Sequence, residues 1–336
     1  MSRYELFNPA RVELGELADR EHDVTAEDCL TPAAPERPYA DPQFDELIGR
    51  IAAARRAGRP VIVMMGAHPI KLGLSRYVVD LIERRLITHL GTNGAGIIHD
   101  FELAAHGGTS ESVARYIRTG QFGLWRQTGR LNEVIVEAAR RGDGLGEAVG
   151  RVLEESRAPH RDLSLAAAGW RAGVPVTSHV AVGCDIIHAH PNFDAAALGT
   201  ASYTDFLIFA RSVQNLEGGV FLNVGTSTIG PEVYLKALSM ARNVARPQGR
   251  PIRDFTTAVF DLVELPSDWA KGPPSKEHPQ YYYRPWKTIL IRTVADGGTS
   301  FYFRGDHRQT IPTLWDRLVR RFDAPSAGPP ADLSSA

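Results

Sequence analysis

The strongest constraint on the fold is a recurring pair of features: a short apolar run that closes on small residues, then an amphipathic helical stretch. RPVIVMMGA (59–67), ITHLGTNG (87–94), VPVTSHVAVG (174–183) and GGVFLNVGTS (218–227) all have this form. Short apolar runs without polar alternation read as strands buried on both faces. Between them, residues 41–58, 75–86, 162–173, 204–219 and 231–245 read as helices. In the first of these Asp41 suits the cap, Pro42 the first turn and Gly58 the stop. Strands alternating with helices predict an α/β fold: a Rossmann-like, doubly wound, mainly parallel sheet with helices on both faces.

The rest of the chain is assigned by the same reading. Residues 1–42, with five prolines from Pro9 to Pro42, predict an irregular arm lying on the body or on a partner. Residues 43–325 predict one α/β catalytic domain, and 326–336 a frayed tail. Within the domain, 107–133 reads as a loop-rich excursion and 134–156 as a helix broken near Gly142–Gly146. DFTTAVFDLVEL (254–265), WKTILIRT (286–293) and SFYFRGDHRQTI (300–311) read as β segments, and PTLWDRLVRRF (312–322) as the last helix.

Composition excludes some functions. Lysine plus arginine (38) balances aspartate plus glutamate (39), so no basic surface for nucleic acid is expected. No run of 18 apolar residues occurs, so no membrane partner is expected. The N-terminus lacks the apolar core of a secretion signal, and Cys29 and Cys184 form no CxxC pair; both features predict a reducing cytoplasm. A GxxxxGK[ST] loop and a GxSxG elbow are absent. The strict GxGxxG spacing is absent too, GTNGAG at 91–96 being an approximation.

Only five lysines occur, Lys71, Lys236, Lys271, Lys276 and Lys287. Lys287 follows YYYRPW and enters the apolar TILI, a setting that strips water from the ammonium and favours the free amine. The alternative is a stem packed on Trp286 with its head in water. Asp185 in GCD and Asp306 in RGDH follow β segments, Asp261 lies at a strand end, and Tyr281, Tyr282, Tyr283 and Trp286 form an aromatic cluster. Carboxylates and aromatic faces together suit a polycation. Each aspartate also reads as a turn residue bonding nearby backbone. Asp185, His188 and His190 have metal-like spacing, with His99, His106 and His179 as further ligands, which defines a metal-dependent hydrolase as an alternative. Lys71 reads either as a phosphate contact or as a surface lysine.

The order of these motifs resembles the deoxyhypusine synthase family. The run Thr92-Asn93-Gly94-Ala95-Gly96, with Asp100-Phe101 after it, is similar to that family's Thr-Ala-Gly-Gly turn with its following acids. Val174-Pro175-Val176 with Gly183-Cys184-Asp185, Leu222-Asn223-Val224-Gly225, Pro285-Trp286-Lys287-Thr288-Ile289, and Arg304-Gly305-Asp306-His307 before Ile311-Pro312 match later motifs in order. The match runs over residues 45–322. Ile98 stands where the family has a glutamate, and Ser227-Thr228-Ile229 where it has Lys-His-His. The resemblance implies NAD as cofactor, with Asn93, Gly94, Gly96, Gly225 and Asp306 lining its site. It implies Lys287 as the catalytic nucleophile, carrying an aminobutyl group from a polyamine such as spermidine as an imine. Asp185, Trp286 and Asp261 are the substrate residues, the acceptor is a protein or a free amine, no metal is required, and the assembly is a cytoplasmic homotetramer. A non-catalytic dinucleotide-binding homologue is the further alternative.

Overall fold

The computed structural model describes residues 2–323, so the tail at 326–336 lies outside the described residues. Six strands form the main sheet: β1 (Val61–Met65), β2 (His89–Asn93), β3 (Val176–His179), β4 (Val220–Val224), β5 (Thr256–Asp261) and β6 (Thr299–Arg304). Their order is β3-β2-β1-β4-β5-β6, and every pairing is parallel. That is the Rossmann order, in which the connections reverse direction between β1 and β4 and leave a crevice at the strands' carboxyl ends.

The apolar runs dictate this arrangement. All five residues of β1 are buried, alternating between two cores. Val61, Val63 and Met65 join one core, with α1 (Pro42–Arg56), α2 (Ser75–Glu83), α3 (Gly94–His106) and α9 (His307–Asp323). Ile62 and Met64 join the other, with the C-terminal end of α7 (Ala195–Val213) and one face of α8 (Ile229–Ala245). The helices α4 (Arg130–Arg141), α5 (Leu145–Glu155) and α6 (Leu165–Ala172) close the β3 side. At α1 the expected devices are present: Asp41 accepts from the Gln43 amide at 2.8 Å, Pro42 opens the helix, and Gly58 follows it with φ of 65°.

Two expectations are corrected. The WKTILIRT segment is not a strand but most of a π-helix, Pro285–Arg292. It is the crossover between β5 and β6, and two parallel neighbours need such a connection. Its apolar residues join the second core from outside the sheet, through Ile289 and Leu290. The strand expected over 300–311 ends at Arg304, and the last helix starts at His307 with Pro312 inside it. Asp306 caps that helix: its carboxylate accepts from Arg308 N at 2.8 Å and its carbonyl from Gln309 N and Thr310 N. The arm, expected on the body or on a partner, makes contacts with the body. Val24–Thr25 pairs antiparallel with Gly108–Thr109, Arg20 reaches Glu102, and Tyr39 bonds to Thr313 and Arg304.

Candidate functional site

At the switch point the first turns after β1 and β4 touch. The Gly66 amide donates to the Val224 carbonyl at 3.0 Å, and a Cβ on Gly66 would lie 2.3 Å from the Gly225 carbonyl oxygen. Gly225 adopts φ of 60°, donates to Phe260 O at 3.0 Å, and lies against the ring of His307. His307 is buried with no partner for Nδ1, and Thr310 Oγ1 and Asn223 Oδ1 are likewise buried and unbonded. Burial, reinforced by His68, depresses the His307 pKa. The turn continues through Thr226, Ser227 and Thr228 into the 17-residue α8. Ser227 and Thr228 are exposed, and their amides donate to no protein acceptor among the described residues.

The β1 turn is organised differently. Leu30 N donates to Gly73 O at 2.8 Å, and a Cβ on Gly73 would meet Asp28 O at 2.3 Å. The arm therefore covers the approach to α2, where a Rossmann protein ordinarily places a pyrophosphate.

On the β2 side the expected glycines serve local packing. Asn93 caps α3 by accepting from Gly96 N at 2.9 Å, and a Cβ on Gly96 would lie 2.0 Å from Thr92 Oγ1. Gly94 faces the Asp185 carboxylate. Burial pushes the pKa of Asp185 up to about 6.

Beside Asp185 lies a cavity of about 240 Å³, lined by Lys71, His99, Glu102 and Glu111 among others and roofed by Arg20 of the arm. Arg20 and Glu102 form a buried bidentate pair at 2.9 and 3.1 Å. Glu102 also accepts from the hydroxyls of Thr109 and Thr128. Burial acts to raise its pKa, but Arg20 and the hydroxyl donors outweigh it and hold the carboxyl below its usual range. Burial drives His99 down to about 4. Glu111 accepts from Gly123 N and Trp125 Nε1, both at 2.7 Å, and burial still raises it.

Lys287 lies across the crevice, in the first turn of the π-helix, and is 3% exposed. Its Nζ sits 3.7 Å from the centroid of the Tyr281 ring and makes no carboxylate pair among the described residues. The neighbouring side chains hold that loop in place. Tyr283 donates to Asp261 Oδ2 at 2.7 Å, and Arg284 pairs with Glu232 of α8. Trp286 is a core residue, donating to Trp269 O at 3.0 Å. The structure thus gathers Gly225, Asp261, Asp306, Trp286 and Lys287 around β4–β6. It gathers Asn93, Gly94, Gly96 and Asp185 around β2–β3.

The histidine pair diverges. His188 Nδ1 accepts from Gly183 N and Asp185 N, whereas His190 Nε2 meets Gly123 O at 2.8 Å. Among the described residues no group of three or more His, Cys, Asp or Glu side chains is arranged to hold a metal ion. Arg20, Glu102, Thr109 and Glu111 were not singled out from sequence. An acid inside the apolar GAGIIHDFELAA helix was the available signal for Glu102. Nothing local marks Arg20, 82 positions away.

No protein-family profile matches the chain, and no curated protein matches it. Solved structures similar to it include AgrE in complex with ornithine and NAD+, at 12% identity and a TM-score of 0.46, covering 86% of this chain and 35% of AgrE. A conserved protein assigned to the LOR/SDH type from Methanococcus maripaludis S2 aligns at 14% identity and a TM-score of 0.48, covering 86% of this chain and 74% of its own. A protein assigned as a deoxyhypusine synthase from Entamoeba histolytica aligns at 10% identity and a TM-score of 0.37, covering 82% and 87%. The chain spans about a third of the length of AgrE. Among the described residues no helix is long and apolar enough to cross a membrane.

Proposed function

We propose that the protein is a nicotinamide-dinucleotide-dependent transferase that moves an alkylamine group from a polyamine such as spermidine to an amine acceptor through an imine on Lys287. The observation that carries this reading is the place of Lys287: a buried lysine without a carboxylate partner, under an aromatic ring, beside the crevice of a Rossmann sheet.

The residues of the β4 half fit a dinucleotide. Ser227 and Thr228 offer free amides and exposed hydroxyls at the positive end of α8, as a diphosphate requires. The unbonded His307 Nδ1 and Thr310 Oγ1 offer polar partners beside them. The β2 turn is less suited, because Gly96 N is already bonded and Asp185 is an acid. Asn93, Gly94 and Gly96 then shape the cavity wall, and Asp306 acts by holding α9 and His307 in position. When bound, a nicotinamide dinucleotide supplies a hydride acceptor and, reduced, a hydride donor.

Nζ of Lys287 bonds to the electrophilic carbon, and the donor nitrogen leaves with the proton that Nζ gives up. Tyr281 must swing off Nζ to admit substrate. The homotetramer is proposed on the same footing, and the exposed Tyr203 and Leu207 of α7 with Met240 and Val244 of α8 offer an apolar face for it.

The test is incubation with NAD+ and spermidine, borohydride reduction and peptide mass spectrometry. A substrate-derived mass on Lys287, absent from a folded Lys287→Arg protein, is expected. No adduct, or an adduct on another lysine, overturns the reading.

A further inference from the structure

His99 and Glu102 lie one turn apart on α3, and Thr109 links them. Glu102 is ionised by its bidentate contact with Arg20, so it only accepts hydrogen bonds. The single Thr109 hydroxyl proton therefore points to Glu102 Oε2, at 2.6 Å. Its oxygen can then contact His99 Nδ1, at 2.7 Å, only as an acceptor. Nδ1 must carry the imidazole proton, and a neutral imidazole then has a bare lone pair on Nε2. Nε2 has no protein partner among the described residues, and His99 lines the cavity.

With Arg20 paired to Glu102, the charged groups left in the cavity are the acids Asp185 and Glu111 and one cation, Lys71, a balance that favours a cationic nitrogen. The groups facing His99 are Glu102 from its own helix, Lys71 from the turn after β1, Arg20 from the arm, and these two acids.

We propose that this cavity is an amine-binding site in which His99 Nε2 accepts a hydrogen bond from a primary ammonium, and that Thr109 and Glu102 act as its positioning residues. The ammonium, held near Asp185 and Glu111, donates one N–H to the bare Nε2 and keeps its proton, because the acids beside it and the burial of His99 both oppose transfer. This role deepens the transferase reading, on which it rests, by naming the side chains that take the amine end of its substrate.

The test uses the full chain with isotope-labelled histidine, titrated with putrescine and no dinucleotide, while nitrogen resonances are followed by NMR. His99→Gln identifies the His99 signals by their loss. The free protein should show Nδ1 protonated and Nε2 bare, and saturating putrescine should shift the Nε2 resonance upfield, as accepting a hydrogen bond does, while leaving it unprotonated. Thr109→Val should abolish the tautomer preference and weaken putrescine binding about tenfold, the worth of one lost charge-assisted bond, whereas Thr109→Ser should keep both. If Thr109→Val does not fold, the wild-type and Thr109→Ser spectra decide. An Nε2-protonated tautomer, no putrescine binding, or binding that leaves Nε2 unmoved overturns the proposal. Failure of NAD+ to bind would leave these readings unchanged and count only against the dinucleotide reading.

Discussion

The Asp185 carboxylate lies directly against Gly94: a Cβ at Gly94 would stand 2.0 Å from Asp185 Oδ2 and 2.6 Å from its Cγ. Only a glycine at the start of α3 lets the loop after β3 close on the end of β2. Gly94→Ala should destabilise the protein by about 1–3 kcal/mol, the usual cost of overpacking, despite alanine's better helix propensity. Adding Asp185→Ala removes the colliding atoms, so the double variant should be less unstable than the two single losses summed. Urea titrations of the three variants check this, and strict additivity would show that the two residues do not meet.

Arg20 fastens the arm to the body through a buried pair. Arg20→Ala leaves Glu102 ionised and uncompensated and should cost about 3–5 kcal/mol. Replacing both residues with apolar ones of similar volume should cost far less, because no charge is then stranded. Chemical denaturation distinguishes the two outcomes.

Asp205 ties α7 to β3 and α5 by accepting from Ser178 N at 2.7 Å and Gly146 N at 3.0 Å. Burial raises its pKa to about 8, against about 3.9 in an unfolded chain. Between those values the folded state holds a proton that the unfolded state has lost, so this residue makes stability fall as pH rises. Asp205→Asn should remove that component and make the slope of stability between about pH 5 and pH 8 less negative. Equal slopes in denaturation series would contradict it.

Histidines act at the other end of the scale. Burial lowers His89 and His179 to about 3, against about 6.5 unfolded. Their contribution is intact above about pH 6.5 and is lost as pH falls, because unfolding then takes up protons. His89→Gln should therefore show a shallower loss of stability between about pH 6 and pH 4, measured by the same denaturation series.

Much of the scaffold is legible in the sequence because doubly buried strands need continuous apolar runs, and VIVMM and VFLNV satisfy that on both faces. The π-helix at Pro285–Arg292 was hidden because TILI suits a strand equally well by periodicity, and only the parallel pairing of β5 with β6 decides between them. Lys287, Asp185 and Gly225 stood out through neighbours in sequence. The His99–Thr109–Glu102–Arg20 chain did not, because its outer link spans 82 positions and depends on how the arm folds back.

The most direct test of the account is a calorimetric titration of the protein with NAD+, repeated on Ser227→Glu. Ser227 is exposed, so this substitution places a carboxylate at the proposed diphosphate turn without disturbing the core. Saturable binding of one dinucleotide per chain, weakened about tenfold or more by Ser227→Glu, is the predicted result. No binding of NAD+ or NADH at millimolar concentration, or equal affinity in the two proteins, would contradict the dinucleotide site placed at Gly225–Thr228.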